Sequence, residues 1–218
     1  MTALFARPTS RGDVLSCGPQ GGPQILVIQP LFEEANRCRR TIALFMRTLA
    51  ELGIGSALPD LPGTGESGIP LSGVKLEDWH AAVTSWVEEL KPAVIASFRG
   101  GAIVDTAQGI AGHWRFAPET GARIIRDLER TRLASATEDT ELLAGHAMTP
   151  AFVEALRQAS PAPLARVRTV RLETDALDAD RKVAGTSLWR RAEPGEDADL
   201  AKVLACDLAE WTRQCAAS

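Results

Sequence analysis

The stretch Pro92 to Thr106, PAVIASFRGGAIVDT, constrains the fold more than any other part of the chain. Ala93, Val94, Ile95 and Ala96 form an unbroken apolar run, the pattern of a strand buried on both faces of a parallel sheet. Gly100 and Gly101 follow and permit a tight turn with close packing of the next element. Ile103, Val104 and Ala107 then have the spacing of a helix's buried stripe. The expectation is strand, sharp turn, helix.

Units of the same kind precede it. Gln24 to Gln29, QILVIQ, reads as a buried strand ended by Pro30. Glu33 to Leu52 places Ile42, Phe45, Met46, Leu49 and Leu52 on one helical face, with Gly53 as its stop. Ile54 to Leu58 is a short strand, Pro59 to Ser67 a turn-rich loop, and Leu76 to Leu90 a helix with Trp79, Val83 and Trp86 inward. Strands and helices alternating in this way imply right-handed crossovers and an α/β fold, a mostly parallel sheet with helices on both faces. At the start, Ala3 to Arg7 and Asp13 to Cys17 predict a hairpin around Ser10-Arg11-Gly12-Asp13, where Arg-Gly-Asp reads as a turn. Further on, Gly112 to Pro118 predicts a strand and Thr120 to Thr137 a charged helix. Thr149 reads as the N-cap of a helix reaching Gln158, with Pro150 in its first turn. Ala165 to Glu173 and Ala184 to Arg190 predict the last two strands, and Asp199 to Cys215 a closing helix. Glu141 to Met148 fits neither pattern.

A length of 218 residues with 45% hydrophobic residues suits a single domain. A net charge of −4 and the lack of a basic face argue against nucleic acid as a partner. No run approaches the ~18 apolar residues of a membrane span, and Met1 to Leu15 has no apolar core of a secretory signal. Cys17, Cys38, Cys206 and Cys215 match no zinc or redox spacing and read as reduced thiols of a cytoplasmic protein. No two histidines lie at ligand spacing with a carboxylate, so neither a metal nor another cofactor is expected.

QILVIQ, PDLPGTGES at Pro59 to Ser67, and the strand and turn at 92–106 together resemble the core of the α/β-hydrolase superfamily. The last of them is similar to its nucleophile elbow, G-x-S-x-G on a strand–turn–helix. More narrowly, Pro30 to Arg40, Trp114 to Gly121 and Gly145 to Ala151 resemble the hydrolase-like proteins associated with bacterial exosortase A systems, found among exopolysaccharide genes. The resemblance spans roughly residues 24–190. It implies an α/β-hydrolase-like fold over residues 1–218, with residues 120–158 as a short helical cap inserted in the single domain, and a triad of Ser, then an acid, then His, in that chain order.

Tested on that triad, the chain falls short. Matching Ala96 to the first glycine and Gly100 to the second puts Phe98 at the nucleophile position, and phenylalanine cannot attack a carbonyl. Ser97 is one residue early, and strand alternation turns it away unless the strained turn re-aims it. The histidine is expected beyond about Arg190, where Ala192 to Asp197 holds none; His80, His113 and His146 all lie earlier. Asp175 stands where the acid is expected. The oxyanion donors would be the backbone N–H of Arg99 with that of Leu31 or Phe32. Glu33, Glu34, Asn36 and Arg37 open the helix after QILVIQPLF. They either complement its N-terminus and pair along it or join Arg99 in a charged pocket. A buried Glu33–Arg99 or Glu34–Arg99 pair would demand a reason, because desolvation is costly. His146 reads as cleft-lining or as an ordinary loop residue.

The expected function is that of a hydrolase-family protein without the standard triad, a non-catalytic accessory linked to exopolysaccharide and exosortase systems. The alternative is an active esterase or thioesterase using Ser97, or water activated by Glu33 or Glu34. A small polar or acyl ligand is expected, with a protein partner or homodimer left open.

Overall fold

The computed structural model describes residues 3–10, 12–134 and 142–217, with Ala134 described for its backbone alone. Eight strands form one sheet: β1 (Leu4–Thr9), β2 (Gly12–Cys17), β3 (Gln24–Ile28), β4 (Gly55–Leu58), β5 (Val94–Phe98), β6 (Gly112–Phe116), β7 (Val167–Leu172) and β8 (Arg181–Val183). Their order is β1-β2-β4-β3-β5-β6-β7-β8. The expected hairpin β1–β2 joins β4 antiparallel, and every pairing from β4 through β8 is parallel. Arg11 lies outside the described residues, as do residues 135–141.

Among the described residues, five α-helices cover the two faces: α1 (Glu33–Glu51), α2 (Leu76–Leu90), α3 (Gly121–Ala134), α4 (Pro150–Gln158) and α5 (Ala198–Ala216). One core joins α1 and α5 to the face carrying Val27, Ala96, Trp114 and Val170. The other joins α2, α3 and α4 to Leu26, Ile28 and Ile95. Successive residues of β3 and β5 therefore feed opposite cores, and an unbroken apolar sequence is what such strands need. Thr149 caps α4 as expected, its side chain accepting from Phe152 N–H, with Pro150 in the first turn.

Three expectations are corrected. Leu52 is not on the buried face of α1; it is the C-cap and 48% exposed. No α-helix follows β5. A 3-10 turn, Arg99–Ile103, leads into irregular chain before β6. Paired glycines weaken a helix start, and Asp105 is drawn fully into the core by Ser97 and Arg115, which holds the chain against the sheet. The last strand is not Ala184 to Arg190; it is β8, which ends before that stretch begins. The apolar pair Leu188 and Trp189 sits instead in a 3-10 turn, Leu188–Arg190, buried against α1.

Candidate functional site

The elbow is set by Arg99. It directly follows β5 and has φ 51°, a left-handed value rare for a residue with a side chain. A strained residue at the exit of a central parallel strand is the geometry of a nucleophile elbow. Gly101, two residues on, fits the second glycine: a Cβ there would lie 2.6 Å from Gln29 O and 2.9 Å from Ile28 O on the neighbouring segment. The elbow therefore reads Ser97-Phe98-Arg99-Gly100-Gly101, and its central position belongs to Arg99, not Phe98. The adjacent glycines permit either register in sequence; the positive φ decides between them.

Phe98 is a core residue, with ring centroids 5.2 Å from Phe45, 5.8 Å from Trp114 and 5.9 Å from Phe116. Ser97 is fully buried on the opposite face, away from the cleft described below. Its hydroxyl donates to Asp105 at 2.7 Å. Asp105 accepts in addition from Arg115 Nε at 2.9 Å and Nη2 at 2.6 Å, while Arg115 Nη1 donates to Ala162 O at 2.9 Å. Neither oxygen of the turn-borne Asp105 nor the Ser97 hydroxyl is placed where a substrate reaches.

The Arg99 guanidinium fills the place at the mouth of the sheet. Nε and Nη2 donate to the two oxygens of Glu34 at 3.1 and 3.0 Å, a bidentate pair. Nη1 donates to Ala117 O at 3.2 Å and lies 3.4 Å from Glu119. The indole of Trp189 covers the guanidinium at 4.4 Å. Burial pushes the Glu34 carboxyl above its ordinary range, further than Arg99 pulls it down. Next to Glu34, burial and that carboxylate drive the Cys38 thiol up to about 12, so it is an inert thiol at neutral pH.

The other expected positions follow. Trp189 comes after β8, where a triad histidine would stand, and Asp175 comes after β7, where the acid would stand. Asp175 is held by Arg171 at 2.7 Å and accepts from Leu177 N–H at 3.0 Å. Burial raises its pKa, but these bonds outweigh it and leave it below the usual value. Leu31 lies beside the elbow glycine Gly100, while Phe32, with φ 56° and ψ −136°, packs on Trp79 and His146. The N–H after the elbow residue is that of Gly100, and this corrects the Arg99 assignment. A Cβ at Gly100 would meet Ile124 at 2.5 Å and Leu31 at 3.1 Å, so a side chain has no room there. His146 Nε2 and Glu33 are 2.7 Å apart, and the imidazole packs on Phe32 at 4.9 Å. Burial raises the Glu33 carboxyl, but His146 and Arg37 reverse the sign and lower it overall. Arg37 acts on Glu33 through space and makes no salt bridge along α1 among the described residues; it donates to Trp189 O at 2.9 Å and ties α1 to the segment after β8. Asn36 is exposed and does not line the cleft.

That cleft, about 400 Å³, lies between the start of α1, the elbow and α3, with Arg37, Arg99, Arg123, Asp127 and Arg190 among its walls. A smaller cavity of about 40 Å³ shares Arg99, Glu119, Arg123, Trp189 and Arg190 with it and reaches Arg171 and Asp175. Among the described residues, no three His, Cys, Asp or Glu side chains group to hold a metal. No helix among them is long and apolar enough to cross a membrane.

No protein-family model matches the chain, and no curated protein matches it. Solved structures do. The esterase domain of a Rhodothermus marinus protein has TM-score 0.61 at 14% identity over 98% of each chain. Smu.1393c of Streptococcus mutans has TM-score 0.52 at 12% identity, covering 100% of this chain and 98% of that one. XC6422 of Xanthomonas campestris, described as an α/β serine hydrolase without lid, has TM-score 0.50 at 17% identity over 96% and 94%. With the strand order above, these establish an α/β-hydrolase-like fold.

Proposed function

We propose that this hydrolase-fold chain binds a ligand at its elbow without cleaving it, as a cytoplasmic accessory protein linked to exopolysaccharide and exosortase systems. The observation that carries the reading is Arg99 at the elbow, fixed by Glu34 and covered by Trp189. Serine catalysis needs a hydroxyl at that point with a histidine to take its proton. Here a guanidinium, which donates only and has no lone pair to offer, stands there instead. An indole stands after β8, and Ser97 is sealed in the opposite core. The exosortase association rests on the sequence resemblance.

The test is hydrolysis of a panel of p-nitrophenyl esters and acyl thioesters by the folded protein. The expected result is no saturable rate above buffer. A saturable rate that disappears in Ser97→Ala would overturn the reading in favour of an esterase. In the source organism, loss of exopolysaccharide on deleting the gene, restored by wild type, supports the accessory link; unchanged output contradicts it.

A further inference from the structure

We infer that the small cavity beside Arg99 is an anion subsite, taking the single carboxylate or phosphate of a polar ligand whose remainder occupies the larger cleft. The inference rests on the binding reading above and gives its ligand a chemical class.

Three observations carry it. The first is charge. The cavity is walled by Arg99, Arg123, Arg171 and Arg190 against Glu119 and Asp175, and with Glu34 paired to Arg99 from behind the wall an excess of one positive charge remains in a chain of net charge −4. The pairing leaves specific groups over. Arg99 takes Glu34 and shares Glu119 with Arg123, and Arg171 takes Asp175. Arg190 makes no ion pair among the described residues, and its guanidinium has room to turn because it is exposed.

The second is unused donors. Thr174 and Ser187 line the same cavity, and their hydroxyls make no hydrogen bond among the described residues. Arg171 is only 8% exposed, yet its Nε–H finds no acceptor among them. Thr174 is exposed and Ser187 half-buried, so both hydroxyls are open to a ligand, and because the two carboxylates of the wall are already held by arginines, the donors left over match an anion, which is acceptor alone.

The third is size and place. About 40 Å³ is room for a small oxyanion and not for a sugar ring or an acyl chain. The adjoining cleft of about 400 Å³ is the volume of an ordinary small-molecule site. The two share the edge formed by Arg123, Trp189 and Arg190, so one ligand can span both. The subsite lies between the β7 and β8 exits, where this fold would otherwise present its acid and histidine. Because Trp189 lies against Arg99, an anion there changes the surroundings of its indole.

The test follows the Trp189 indole N–H by ¹⁵N–¹H correlation, assigned through Trp189→Phe, while glucose 6-phosphate, glucuronate or glucose is added. The expected result is a saturable shift with one or both anionic sugars, weakened by salt, and none with glucose. The phosphate and uronate arms then identify which anion is preferred. Arg190→Gln should weaken binding by roughly tenfold or more, as loss of a charge-assisted contact does. Arg40→Gln, at an exposed pair with Glu196 off the cleft walls, should leave it unchanged. No shift with either anion overturns the inference, as does an equal shift with glucose or full binding by Arg190→Gln. Ester hydrolysis lost in Ser97→Ala would instead overturn the non-catalytic reading, so the two failures are distinct.

Discussion

Two buried arginine–carboxylate pairs lie within a few residues of each other, and they differ in one respect. Arg115 grips Asp105 with both oxygens used and Ser97 added, and the carboxylate side chain is 0% exposed. Arg99 grips Glu34 in the same bidentate manner, but Glu34 retains 19% of its side-chain exposure and the pair borders open volume. Neighbouring residues of one strand exit, Ser97 and Arg99, thus serve a sealed cluster and an accessible one. The first has satisfied itself and can do nothing further. The second is a charged pair kept at the mouth of the sheet at a desolvation cost, which is the arrangement expected of a site rather than of a core.

Asp105→Asn should separate the two pairs most widely. It leaves Arg115 buried without its charge partner and should cost about 3–5 kcal/mol, read by chemical denaturation. Glu34→Gln should cost less, about 1–2 kcal/mol, since Arg99 keeps Ala117 O, Glu119 and Trp189. Equal losses would erase the distinction.

The two regions should also titrate in opposite senses. His113 packs by the sealed cluster, and burial holds its pKa below 6.5, so the folded state binds fewer protons than the unfolded one just below that pH. Stability should therefore fall as pH drops from 6.5 towards the lower folded value. Glu34 is shifted upward, so the folded state binds more protons above 4.5, and its contribution declines as pH rises through its folded value. Stability–pH curves of wild type, His113→Asn and Glu34→Gln separate the two. The acid-side loss should shrink in His113→Asn, and the decline above 4.5 should vanish in Glu34→Gln. A matching change in both variants would show that the regions are coupled. The smallest effect is Ser97→Ala, about 1 kcal/mol for one hydroxyl bond, with anion binding at the cleft unchanged.

The layered fold is legible in the sequence because its strands and helices carry clean periodicities: QILVIQ, the α1 face from Ile42 to Leu49, and the Thr149-Pro150 cap all lie where expected. Glu34, Arg99 and Asp175 are legible as candidates from their places after strands. The elbow register is not, because Gly100-Gly101 offers two alignments and only the backbone angle at residue 99 chooses. Asp105 and Arg115 stay hidden because nothing in a one-dimensional pattern marks a charge that a turn folds inward. Trp189 reads as part of a strand, since an apolar pair looks the same whether it alternates in a sheet or plugs a core. Its signal is position: the residue facing the elbow after the last strand.

An elbow that presents a guanidinium and no usable nucleophile should be inert to serine-directed reagents. Fluorophosphonate treatment followed by intact-mass analysis tests this most directly. The expected result is no adduct on folded protein, in wild type and Ser97→Ala alike. A stoichiometric adduct on wild type that is absent from Ser97→Ala would contradict it, placing a live serine where the structure puts a sealed one.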